Sequence, residues 1–118
     1  IYAAASKCGY DAGEITTMTR GDLEWMLTIA EDGTLVEDGL LPALIQWPGG
    51  RNPANKLPES NTRLQRLILQ HPQPDEIGQI IKKLGIDRSV EVRPGPTNLI
   101  FEMQTNVGAL VSFSSASA

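Results

Sequence analysis

Arg66 is the side chain in this sequence that most demands a chemical reason. It stands in an apolar run, residues 63–69, that contains neither Gly nor Pro, and a charge there must be solvated, paired or bound to something. Its planar fork suits the carboxylate or phosphate of a small anionic ligand. It equally suits a structural salt bridge, with Glu102 or Glu91 as partner, and buried Arg is usually paired. Glu102 lies between Phe101 and Met103 and shares a face with Ile100 and Gln104. If that face lines a cavity, Glu102 is an acid, a base or a counter-ion; if the face meets water, it is a solvated carboxylate. Trp25 and Trp47 fall on two segments expected to be neighbouring strands. They can stack on a planar ligand or fill a core or an interface, where large aromatics dominate.

Other reactive residue types lack the company their chemistry needs. Cys8 is the single cysteine, so no internal disulfide and no multi-cysteine zinc pattern exists. It reads as a small hydrophobe near a helix end, and its use suggests a reducing, cytoplasmic setting. His71, the one histidine, sits beside Pro72 in what reads as a surface turn, with no metal-ligand partner at suitable spacing. Ser112, Ser114 and Ser115 have no histidine near them in a nucleophile pattern. Gly49 and Gly50 lack both the Lys-Ser/Thr of a phosphate loop and the three spaced glycines of a dinucleotide site.

The elements that must position these groups are legible from periodicity. Residues 63–69 read as a strand. Ile77, Ile80, Ile81 and Leu84 recur at helical spacing, with Asp75 and Glu76 in the first turn, Lys82 and Lys83 in the last, and Gly85 as the stop. Three strand signals follow at residues 89–93, 98–105 and 109–114, separated by turns at Pro94-Gly95-Pro96 and 106–108, which predicts an antiparallel meander covered by the helix. Upstream, residues 2–8 read as the end of a helix, 14–19 as a strand, and 23–29 as the clearest strand of the chain by its alternation. The apolar run 40–47 is expected to return antiparallel to it, with Pro42 marking an entry or edge. Residues 47–53 must be irregular, and the tail 114–118 is small and polar.

With 118 residues the chain reads as one domain, divided into an N-terminal part (1–61), a strand-helix-three-strand part (62–114) and a tail (115–118). The net charge of −4 and the scatter of ten Lys and Arg exclude a nucleic-acid footprint. No apolar run approaches the roughly 20 residues that cross a bilayer, so no membrane partner is expected.

The βαβββ order over 62–114, with its Pro-rich turn, its helix ending in Leu84-Gly85 and its final hairpin at Gly108, resembles one module of the vicinal oxygen chelate superfamily. Residues 23–27, 40–47 and 52–54 resemble that superfamily's glyoxalase-like branch. The resemblance implies an α+β fold: a βαβββ module with an added N-terminal antiparallel hairpin, mostly antiparallel sheet packed on one main helix. It also implies a cupped sheet that holds a ligand. Members often bind a divalent metal through a His or Gln on a module's first strand and a Glu on its last. Those positions carry Arg66 and Ser112 here, and Asn52 stands where a His is common. Arginine has no lone pair to offer a metal and serine is a poor substitute for a carboxylate, so neither metal nor cofactor is expected. The expected ligand site is Arg66, Glu102, Ser112, Trp25 and Trp47, with Phe101 and Met103 as apolar walls. A single module with open sheet edges predicts a homodimer or even-numbered homo-oligomer. Two other functions stay open: a divergent metal-dependent lyase, isomerase or dioxygenase with ligands in a missing module, and a structural or protein-interaction module.

Overall fold

The computed structural model describes residues 1–115 and divides into two compact units, Ile1–Pro58 and Glu59–Ala118. In the first unit, α1 (Tyr2–Lys7) leads into Cys8, which is fully buried as a small hydrophobe, and then into Tyr10, whose hydroxyl donates to the Pro42 carbonyl at 2.6 Å. β1 (Glu14–Arg20) and β2 (Leu23–Ile29) pair antiparallel from Glu14 opposite Ile29 to Arg20 opposite Leu23, around a tight turn at Gly21 and Asp22.

The apolar run expected to form a long third strand does so only at β3 (Ile45–Gln46), antiparallel to β2. Pro42 has no N–H to give a ladder. The buried Thr28 joins Leu44 instead, its N–H donating to the Leu44 carbonyl at 3.0 Å and its Oγ1 accepting the Leu44 N–H at 2.8 Å. Leu40 and Leu41 go into the core of this unit beside Cys8 and Ala12. The Gly- and Pro-rich residues that follow form short 3-10 turns, as the sequence demands.

The second unit is β4 (Arg63–His71), α2 (Pro74–Leu84), β5 (Val90–Pro94), β6 (Asn98–Gln104) and β7 (Leu110–Ser114). α2 buries Ile77 and Ile81, and its last turn closes on the left-handed Gly85, whose N–H reaches the Lys82 carbonyl at 2.9 Å. Ile68 and Leu69 of β4 complete this core.

The strand order is β5-β4-β6-β7, which corrects the expected meander. β5 returns from α2 parallel to β4, and β6 takes the other side of β4, antiparallel, with β7 at the edge. The link from β5 to β6 must therefore cross the end of β4. It does so at Gly95, whose N–H donates to the His71 carbonyl at 3.2 Å and where a Cβ would fall 2.7 Å from the Gln70 side chain. A side chain there would have to displace that amide, and the φ of +145° at this position favours glycine. His71 is corrected too. It is the last residue of β4, 9% exposed, with Nδ1 accepting from the Gln73 N–H at 3.0 Å, because the crossing chain covers the place where a surface turn was expected.

Candidate functional site

Register decides which side chains of the second unit share a face. Arg66 lies opposite Glu102, and Glu102 opposite Ser112, so three adjacent strands put these residues in one row. Cross-strand neighbours of this kind have Cβ atoms about 5 Å apart. The β4–β6 register slips between Leu64 and Arg66. This bulge adds a residue to β4 and moves Leu64 opposite Met103, away from the face of Arg66 that plain alternation would give it. It also brings Gln65 to Gln104, the two amides bonding at 2.9 Å. The alternation of β6 places Phe101 and Met103 on the side away from Arg66, across from Leu67 and Leu64, so they do not wall its site.

The Arg66 fork is fully engaged. Nε and one terminal nitrogen donate to the two Glu102 oxygens at 3.1 and 3.0 Å, and the other terminal nitrogen meets Glu91 at 3.1 Å. The two pairs differ in exposure: Glu102 is 21% exposed and Glu91 42%, with Arg66 itself at 49%. The hydrogen bond from Arg66, then its charge and that of Arg93, hold the Glu102 carboxyl below the ordinary glutamate range against some desolvation. Bonding to Glu102, followed by the charges of Glu102 and Glu91, raises Arg66 in turn. A carboxylate held ionised this way is an acceptor and counter-ion rather than a proton donor.

A shallow open cleft of ≈ 430 Å³ passes over this row, lined by Gln65, Arg66, Glu102, Gln104, Gly108 and Leu110. Ser112 is exposed beside Glu102 on the edge strand. Trp25 and Trp47 belong to the first unit and pack on each other, ring centres 5.1 Å apart and planes tilted by 39°. Asn52 caps a 3-10 turn, accepting from the Ala54 N–H at 3.0 Å. Among the described residues no group of three or more His, Cys, Asp or Glu is placed to hold a metal ion, and no helix is long and apolar enough to cross a membrane.

Sequence reasoning named the Arg66 row and both of its carboxylate partners. It missed the Gln65–Gln104 pair, which exists only because of the bulge. It also missed Tyr10, where burial first and the neighbouring Cys8 second push the phenol up to about 12. The Tyr10–Pro42 bond spans a separation that no local pattern encodes.

A family model described as a glyoxalase-like domain matches residues 1–85, which takes in the whole first unit together with β4 and α2. No curated protein and no solved structure matches the chain.

Proposed function

This chain belongs to the glyoxalase-like domain family of the vicinal oxygen chelate superfamily, and on that premise we propose that it binds a small anionic molecule on the Arg66 face without a metal. The observation that carries the reading is the unequal division of the Arg66 fork. The two-pronged bond to the less exposed Glu102 fixes the plane of the guanidinium. The Glu91 arm is a pair between exposed groups, which contributes little and is readily exchanged. A ligand carboxylate or phosphate takes that arm, with the Gln65 and Gln104 amides and the Ser112 hydroxyl available as further polar contacts. Donor chemistry argues against a metal there. At the positions where the superfamily's ligands are expected this chain has a guanidinium and a neutral hydroxyl, and the nearest carboxylates are already bonded to Arg66.

Self-association is part of the proposal. β7 is a sheet edge of five residues with no charge and no proline, and Leu110 and Phe113 are 65% and 57% exposed. The opposite edge, β5, carries Glu91, Arg93 and Pro94, which discourage pairing. Two β7 strands joined across a twofold axis would satisfy both edges.

Titration with inorganic phosphate and glycolate, followed by NMR at the Gln65 and Gln104 side-chain amides that line the same cleft, tests the binding. Arg66→Ala should weaken it about tenfold or more while leaving the fold intact, and treatment with a chelator should change nothing. Unaltered affinity in Arg66→Ala removes the site. Light scattering across a concentration range tests the association, and a monomer throughout would refute it.

A further inference from the structure

The first unit holds a second concavity that the Arg66 site does not use. A chamber of ≈ 330 Å³, lined mainly by apolar residues including Leu27, Leu35, Leu41, Pro42 and Ala43, lies between β2 and the segment that follows it. Its volume is at the small end of the roughly 300–1,000 Å³ of ligand pockets. Ala30, Thr34 and Val36 line both this chamber and an adjoining cleft. The cleft is lined by Asp11, Glu14, Glu31 and Asp32, and no Lys or Arg lines either space. None of the four carboxylates forms an ion pair among the described residues. Asp11 and Asp32 each use one oxygen on a local turn, bonding the Gly13 and Thr34 N–H groups at 2.9 and 3.0 Å, which fixes their position at the mouth.

We propose that the chamber and its acidic mouth together bind a small amphipathic amine, a ring or short alkyl chain ending in an ammonium group. Each simpler occupant uses only half of the geometry. A neutral apolar molecule fills the chamber and ignores the carboxylates. A bare metal ion meets only the mouth, where no group of three ligands is placed to hold one. An anion is repelled, since this unit has four Lys and Arg against eight Asp and Glu. An ammonium on an apolar body satisfies both parts, its charge among the carboxylates and its carbon skeleton against Leu27 and Leu41.

The test is an NMR titration with 2-phenylethylamine, 2-phenylethanol and 3-phenylpropanoate, three probes of one shape and different charge. At low salt the amine should bind about tenfold tighter than the alcohol, and the acid weakest. At about 1 M salt, where screening shortens to about 3 Å, the three should converge. Glu14→Gln with Glu31→Gln, which leaves Asp11 and Asp32, should cut the amine's advantage over the alcohol by more than half and leave the alcohol unmoved. Ala43→Phe, at an exposed lining position, should abolish binding of both, and Arg66→Ala should affect neither. An amine that binds no better than the alcohol at low salt, or a chamber that binds none of the probes, overturns the proposal. So does binding that survives Ala43→Phe.

Discussion

The two units of this chain treat charge in opposite ways. Glu59–Ala118 has six Lys and Arg against six Asp and Glu, and two of its cations are held in ion pairs: Arg63 by Glu59 at 2.6 Å, Arg66 by Glu91 and Glu102. Ile1–Pro58 has four against eight, so the whole net charge of −4 resides there. Several of its carboxylates face a cleft without a cation. Their cores differ as well. The second unit closes an eleven-residue helix over a four-stranded sheet and buries Ile68, Leu69, Ile77 and Ile81. The first has a six-residue helix and a three-stranded sheet, and its buried set includes the small Cys8 and Ala12 and the polar Thr28. Internal neutrality leaves the second unit with one oriented polar row. The first unit carries an uncompensated negative charge.

Both tryptophans lie in the first unit, so tryptophan fluorescence reports on it while circular dichroism reports on both. The largest effect expected is from Ile81→Ala, which removes three side-chain carbons from a position 1% exposed and should cost about 2–4 kcal/mol. In urea the dichroism midpoint should fall with little change in the fluorescence midpoint. Equal shifts in both would mean that the contrast between the units does not extend to their stability.

Thr28→Val probes the other side. It keeps the shape and removes the acceptor of the part-buried Leu44 N–H, at a cost of about 1 kcal/mol. Here the fluorescence midpoint should move. A change of less than about 0.5 kcal/mol would mean that water replaces the lost partner.

The smallest effect is a pH dependence of opposite sign in the two units. The Tyr10 phenol titrates near 12 instead of 10 because it is desolvated, so its contribution is complete below pH 10 and is lost as pH rises toward 12. Fluorescence-detected stability should decline over that window, and Tyr10→Phe should flatten the decline. Glu102 is depressed by Arg66, so its contribution is complete above the ordinary glutamate range and is lost as pH falls through its lowered value. Glu102→Gln should reduce the acid sensitivity of the second unit and leave the alkaline decline of the first untouched. An acid profile unchanged by Glu102→Gln would show that other carboxylates set it.

Much of the fold could be read before the structure because it rests on local period. Leu23 to Ile29 alternates and is β2; Ile77, Ile80, Ile81 and Leu84 recur at helical spacing and lie on α2, with its stop at Gly85. The pairing of Arg66 with Glu91 and Glu102 followed from chemistry, since an arginine in an apolar strand needs a carboxylate and few were within reach. The family resemblance also stood on apolar spacing, and the match over residues 1–85 bears it out.

What could not be read were the relations between distant segments. Three strand signals in succession suggest a meander, yet the direction in which the chain leaves α2 made β5 parallel to β4 and sent β6 to its far side. The slip between Leu64 and Arg66 turned Leu64 away and brought Gln65 to Gln104, and the crossing at Gly95 buried His71. Sequence alone determined which residues form strands and helix and which charges require partners, because propensity and periodicity act within a few residues. Tertiary structure decided the strand order, the shared faces and the concavities, because hydrogen-bond register and close approach are set only when segments far apart in the chain meet.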